Sequence, residues 1–171
     1  MLAWHFVGDT LRDGRPVPPD GEWLAHTGEL IMCESGLHAS KHPFDALKYA
    51  PGAMLCLVEV DGEIIEDDDK LVCRRRRIIA RRDATSMLRE FARVQALSVA
   101  HLWQMPDIVR QYLETDDESL RAAANAAARA AASAAAWDAA WAAAWDAARD
   151  DFEQRVTALF AGEAALDAAG E

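Results

Sequence analysis

The side chains best suited to handle a small polar molecule are His5, His38, Tyr49 and Glu59. Histidine hydrogen-bonds a ribose or a diphosphate and changes charge near neutral pH. With Tyr49, the two histidines can line a pocket beside Glu59; these four are the candidate catalytic residues. The plainer alternative places both histidines at strand ends with satisfied nitrogens. A second feature is the run Arg74–Arg77, joined by Arg81 and Arg82. Guanidinium forks match phosphate geometry. On a strand, successive side chains alternate faces, so only half of such a run can share a ligand. Arg75 and Arg77 are the pair assigned to a ligand. The same arginines could instead pair with Asp67–Asp69 or with the acidic helical part of the chain. Ser40 reads as a helix cap, because no GxSxG frames it as a nucleophile. His38 and His42 stand four apart, but Pro43 breaks a helical face there and no HExxH is present, so no metal site is expected.

The elements that must position these residues fall into two classes. Residues 2–7 (LAWHFV), a short stretch around Trp23, 29–33 (ELIMC) and 53–60 (AMLCLVEV) read as strands between Gly- and Pro-rich turns. Asp61-Gly62 reads as a hairpin turn into 63–65. Leu71–Cys73 and Ile78–Ala80 read as one or two edge strands, and 43–50 as one short helix with Pro43 in its first turn. From Asp83 the period changes: Leu88, Phe91, Val94 and Leu97 recur at helical spacing. The fold class is α+β. A β-rich domain over 1–82 precedes a helical region over 83–171, with helices about 84–105, 106–114 and 116–161. Thr115 and Glu118 form a capping box for the last of these.

That last helix carries an unusual repeat. Arg121, Asn125, Arg129, Ser133, Trp137, Trp141, Trp145 and Arg149 interrupt a background of alanine every fourth residue. The spacing is close to one helical turn, and alanine is the best helix former. A helix over 116–161 would be about 70 Å long at 1.5 Å per residue. Trp137, Trp141, Trp145 and Phe152 fall on one face and are the expected interface residues. Two readings fit: the helix folds back on its own domain through its tryptophan half, or it pairs with another chain. The second is favoured, because the face is longer than one small domain can hide, so a homo-oligomer is expected.

Bulk composition narrows the class. The chain has 171 residues, enough to bury a core without staples. A net charge of −11 argues against a nucleic-acid or anionic-membrane binder. Cys33, Cys56 and Cys73 are an odd, widely spaced set, read as reduced core thiols. No basic stretch followed by an apolar one opens the chain, and the alanine run carries Arg129, Asp138, Asp146 and Arg149. The expectation is therefore a cytoplasmic protein without a membrane span.

LIMCESGLHASKHPFDALKYAPG followed by LCLVEVDGEIIEDDDKLVCRRR resembles a domain of phage and prophage proteins, the DUF7666 type. ATSMLREFARVQALSVAHLWQMPDIVRQYLETDDESLRAAA resembles the segment that often follows it. The resemblance implies an origin in a phage or prophage of a GC-rich bacterium, and a host bacterial cell as the location. Gly36-Leu37-His38-Ala39-Ser40, then Ala46 and Tyr49, is also similar to the middle of ADP-ribosyltransferase-like folds. That likeness implies NAD as cofactor, His5 holding the nicotinamide ribose and Glu59 or Glu63 orienting the nucleophile. No His-Gly-Thr motif accompanies it. Three functions are thus expected in this order. The first is an accessory protein without a cofactor that binds a host protein or a small nucleotide. The second is an NAD-dependent ADP-ribosyltransferase-like enzyme, and the third a structural virion component.

Overall fold

The computed structural model describes residues 1–131, 145 and 147–161. Trp137 and Trp141, and the central part of the expected long helix, lie outside the described residues.

The first unit comprises Met1–Met87 together with the chain from Phe152 onward. Its sheet is built from β1 (Leu2–Val7), β2 (Leu24–Ala25), β3 (Leu37–Ala39), β4 (Met54–Glu66) and β5 (Leu71–Asp83). β4 lies between β1 and β5, and every pairing is antiparallel. The far edge of β5 is shared, with β3 alongside Leu71–Cys73 and β2 alongside Arg75 and Arg76. Ser40, just past β3, exchanges both backbone hydrogen bonds with Trp4 of β1, at 2.7 and 2.9 Å. The ladder β1–β4–β5–β3 therefore closes on itself, and β5, expected as one or two edge strands, is one strand whose far edge is paired along Leu71–Cys73 and at Arg75 and Arg76. Closure suits this small sheet because an open sheet edge leaves backbone donors and acceptors unpaired.

Asp61-Gly62 is not a hairpin turn. β4 runs through it as one strand, with register shifts after Leu57 and Asp61. Gly62 takes φ +79, which glycine adopts without cost, and absorbs the bulge there. The reversal comes at residues 67–70, where the Asp67 amide donates to the Lys70 carbonyl at 2.9 Å. The segment 29–33 is likewise a turn rather than a strand, closed by the Ile31–Ser35 bridge. Cys33 stands in it at φ +66 and is exposed. It is therefore not a core thiol, whereas Cys56 and Cys73 are.

The interior is lined by Ala3, Val7, Ala39, Cys56, Val58, Val60, Leu71, Cys73 and Ile78. The opposite face of β1 and β4 is also buried, through Phe6 and Leu55. α1 (Pro43–Leu47) buries Phe44 and Ala46, and packs against β1. The chain from Phe152 completes this core. Phe152 is 0% exposed and meets Phe44 edge to face, with centroids 5.5 Å apart. Phe160 meets Trp4 the same way at 5.2 Å, with the Arg82 guanidinium 5.4 Å from its centroid. Phe152, expected at an interface between chains, is thus consumed within its own unit.

The second unit is Leu88–Asp151, and its described elements are helices and 3₁₀ turns. α2 (Thr85–Ser98) begins where Asp83 accepts the Thr85 amide, and ends well before Met105. A single 3₁₀ turn, Ala100–Leu102, follows it. α3 (Asp107–Thr115) starts after Pro106 and ends at Asp116, which takes the left-handed conformation at φ 56. Thr115 therefore closes α3. Asp117 performs the expected capping, accepting the Ser119 amide ahead of a 3₁₀ turn and α4 (Arg121–Ala131). Phe91, Val109, Ala124 and Ala148 are this unit's buried apolar residues among those described. Ion pairs Arg93–Asp116 and Arg89–Glu118 join α2 to the turn after α3. Residues 147–161 form a last helix, α5, and Trp145 just before it is helical and partly covered. The architecture is α+β: an antiparallel sheet with one short helix, then helices. No helix among the described residues is long and apolar enough to cross a membrane.

Candidate functional site

Cross-strand partners share a face of a sheet. His5 pairs with Cys56 and stands on the interior side with Ala3 and Val7. Arg76 pairs with Val60 and also points inward. Arg76 is 6% exposed, and its Nη1 donates to the carbonyl of His38. Burial pushes its guanidinium down to about 10, still protonated at neutral pH. The surrounding groups are held neutral. Burial lowers His5 well below its ordinary value, and the charge of Arg76 and the proximity of His38 lower it further. Burial also lowers His38, chiefly offset by a backbone hydrogen bond at Gly36. Burial raises the thiols of Cys56 and Cys73 to about 11. The buried Arg76 guanidinium is thus set among two neutral histidines and two neutral thiols.

Glu59 lies on the opposite face, between Val58 and Val60 of the core. It accepts from Arg77 Nε at 2.7 Å and Nη2 at 2.6 Å. Arg75 donates to Asp61 at 3.0 Å. Both guanidiniums lie over the Trp23 ring, Arg75 at 4.4 Å and Arg77 at 4.8 Å from its centroid. This stack follows from the pairing of β2 with β5, which sets Trp23 beside Arg77. Arg74, on the alternate face, pairs with Glu63, and Arg81 reaches Asp20. The arginines therefore find their acids on neighbouring strands and in the loop before β2, not at Asp67–Asp69.

Tyr49 is half exposed, and its hydroxyl donates to Asp69 at 2.8 Å while accepting from Lys70 at 3.1 Å. Lys48 also reaches Asp69, at 3.2 Å. The His38 ring accepts the Cys33 amide through Nε2 at 2.9 Å and so pins the 31–35 turn. Of the four candidate catalytic residues, only His5 and His38 lie close enough to influence each other. Glu59 is committed to Arg77, and Tyr49 to Asp69 and Lys70. Arg75 and Arg77 are brought together as one face. Trp23 joins them, and reading the sequence without strand register gave no reason to pick it. Arg76 was equally hidden, since nothing distinguishes it from its neighbours until the register is known. No group of three or more His, Cys, Asp or Glu side chains among the described residues is placed to hold a metal ion.

Fold and site together define a small closed antiparallel sheet with a fixed arginine–tryptophan face outside and one enclosed arginine within. The chain belongs to the family described as a domain of unknown function (DUF7666), whose model matches residues 1–90. No curated protein and no solved structure matches it.

Proposed function

We propose that this protein acts by binding and not by catalysis. It is read as an accessory protein of phage or prophage origin whose outer sheet face takes a small nucleotide. The observation that carries this reading is the Arg75–Trp23–Arg77 stack, with each guanidinium anchored by a carboxylate of β4. Two planar cations fixed over an indole offer a base a stacking surface. A guanidinium has five N–H donors, and the anchoring carboxylates use only some of them. The rest face outward from side chains that are 45% and 35% exposed, where phosphate oxygens can accept. Preorganisation of this kind lowers the cost of binding.

The enzyme reading requires Glu59 to act with His5, and these stand on opposite faces of the sheet. A protein partner on the same outer face is the second reading, favoured by exposed Leu2 and Ile79 flanking it.

A thermal-shift panel of NAD, ADP-ribose and cyclic nucleotides tests the proposal, since a ligand of the folded state raises Tm by mass action. The expected result is a saturable rise with at least one nucleotide, lost in Arg75→Ala and Arg77→Ala. No rise with any of them overturns the nucleotide reading and leaves the protein partner. Consumption of NAD that stops in Glu59→Ala restores the enzyme.

A further inference from the structure

Among the described residues of the arginine run, Arg76 is the side chain whose surroundings do not account for its charge. Burying a cation is costly unless it is paired and hydrogen-bonded. Arg74, Arg75, Arg77 and Arg81 each have a carboxylate. Arg76, the most buried of the run, has none among the described residues. Its one side-chain hydrogen bond goes from Nη1 to the His38 carbonyl. Among the described residues, Nε and Nη2 have no hydrogen-bond partner. Those donors lie on the interior side of the closed sheet, the side Arg76 shares with its register partner Val60. The walls around them are His5, Cys56 and Cys73, all neutral at pH 7, with Val60 beside them. No carboxylate among the described residues pairs with Arg76; the other charges within reach of these thiols are the Met1 ammonium near Cys73 and the Arg81–Asp20 pair near Cys56.

The group that fits is compact, carries one negative charge and offers two oxygens in a plane. A carboxylate on a guanidinium fork has that match, with two parallel N–H···O bonds. A phosphate is bulkier than a carboxylate and would bring further charged oxygens among apolar core residues such as Val60. Chloride neutralises the charge but offers one acceptor atom, so it cannot make the two parallel bonds that a carboxylate makes with the fork. We propose that the interior of the closed sheet is a binding site for the carboxylate of a small organic acid, received by Arg76 with His5 beside it. This site is distinct from the outer Trp23 face and does not depend on the nucleotide reading.

The test is a titration of the full chain with sodium acetate against sodium chloride at equal ionic strength, read as Tm. The expected result is a saturable rise with acetate beyond that with chloride. Arg76→Met, of similar length but uncharged, loses the rise; Arg76→Lys, which keeps charge without the fork, weakens it. Arg75→Ala and Arg77→Ala retain it, which separates this site from the outer one. If the Arg76 variants fail to fold, the wild-type protein still decides the matter. Nuclear Overhauser contacts from the acetate methyl to the His5 ring protons are then expected. Acetate behaving like chloride, a rise that survives Arg76→Met, or the absence of those contacts overturns the proposal.

Discussion

Trp4 and Ser40 exchange two backbone hydrogen bonds, Trp4 N–H to the Ser40 carbonyl at 2.7 Å and Ser40 N–H to the Trp4 carbonyl at 2.9 Å. These two bonds join the short β3 segment to β1 and turn a twisted sheet into a ring. Ser40→Pro removes one donor and strands the Trp4 carbonyl, at a cost of about 1–3 kcal/mol for the unsatisfied group. Chemical denaturation should show that loss. Hydrogen exchange should show faster amide exchange at the remaining partner, Trp4, than at β4. Unchanged protection at Trp4 would show that the ring does not depend on this bridge.

Phe152 should behave as a core residue of the sheet domain. Phe152→Ala removes a fully buried ring from Phe44, and such truncations cost about 3–5 kcal/mol. The midpoint of urea unfolding, followed by a probe within β1–β5, should fall accordingly. A change confined to oligomeric state, with that midpoint unmoved, would return Phe152 to an intermolecular role.

Acid should destabilise the fold through His5. Its folded value lies below the ordinary one, so the unfolded chain binds the proton more readily. The stability it contributes is complete above the unfolded value, about 6.5, and drains away as pH falls toward the folded value. The slope in that window is about 1.4 kcal/mol per pH unit for a full proton. His38 is shifted in the same direction and adds a smaller part. His5→Gln should flatten the dependence of unfolding free energy between pH 6.5 and 5; an unaltered slope would exclude His5 as its source.

The three thiols should divide. Cys33 is exposed, while Cys56 and Cys73 are buried and pushed up to about 11. An aromatic disulfide reagent at pH 7.5 should label Cys33 in the native state and the other two only on unfolding. Cys33→Ser should abolish the native reaction. Native labelling of Cys56 would show that the ring opens on the time scale of the assay.

Much of this architecture was legible in the sequence, and the misreadings share a cause. The apolar run 2–7 and the alternation through 53–60 gave β1 and the start of β4, because burial of one face imposes a period of two. Asp61-Gly62 misled because an Asp-Gly pair serves a tight turn and a bulge equally well: both need positive φ, and only the partner strand decides. The 31–35 turn was hidden inside an apolar run, since Leu30 is buried by packing and not by strand pairing. The arginine run showed the limit most sharply. Alternation foretold that Arg75 and Arg77 would share a face, but four identical residues carry no sign of which pair faces inward. That sign lies in Val60 and Leu24, the register partners of Arg76.

The discontinuity of the sheet domain bears on how the chain is made. Its core draws on the first 87 residues and on the chain from Phe152, with the whole helical unit threaded between them. On a ribosome, β1 to β5 emerge first and wait for Phe152 and Phe160 with Phe44 and Trp4 still uncovered. At roughly 5–20 residues per second the delay is several seconds, long enough for other hydrophobic surfaces or a chaperone to compete. The cost of closing so long a connection grows only with the logarithm of its length. Gaining or losing alanine repeats in the intervening sequence would therefore tax the domain little in free energy, while lengthening or shortening the period during vectorial synthesis in which its aromatic seam stands open.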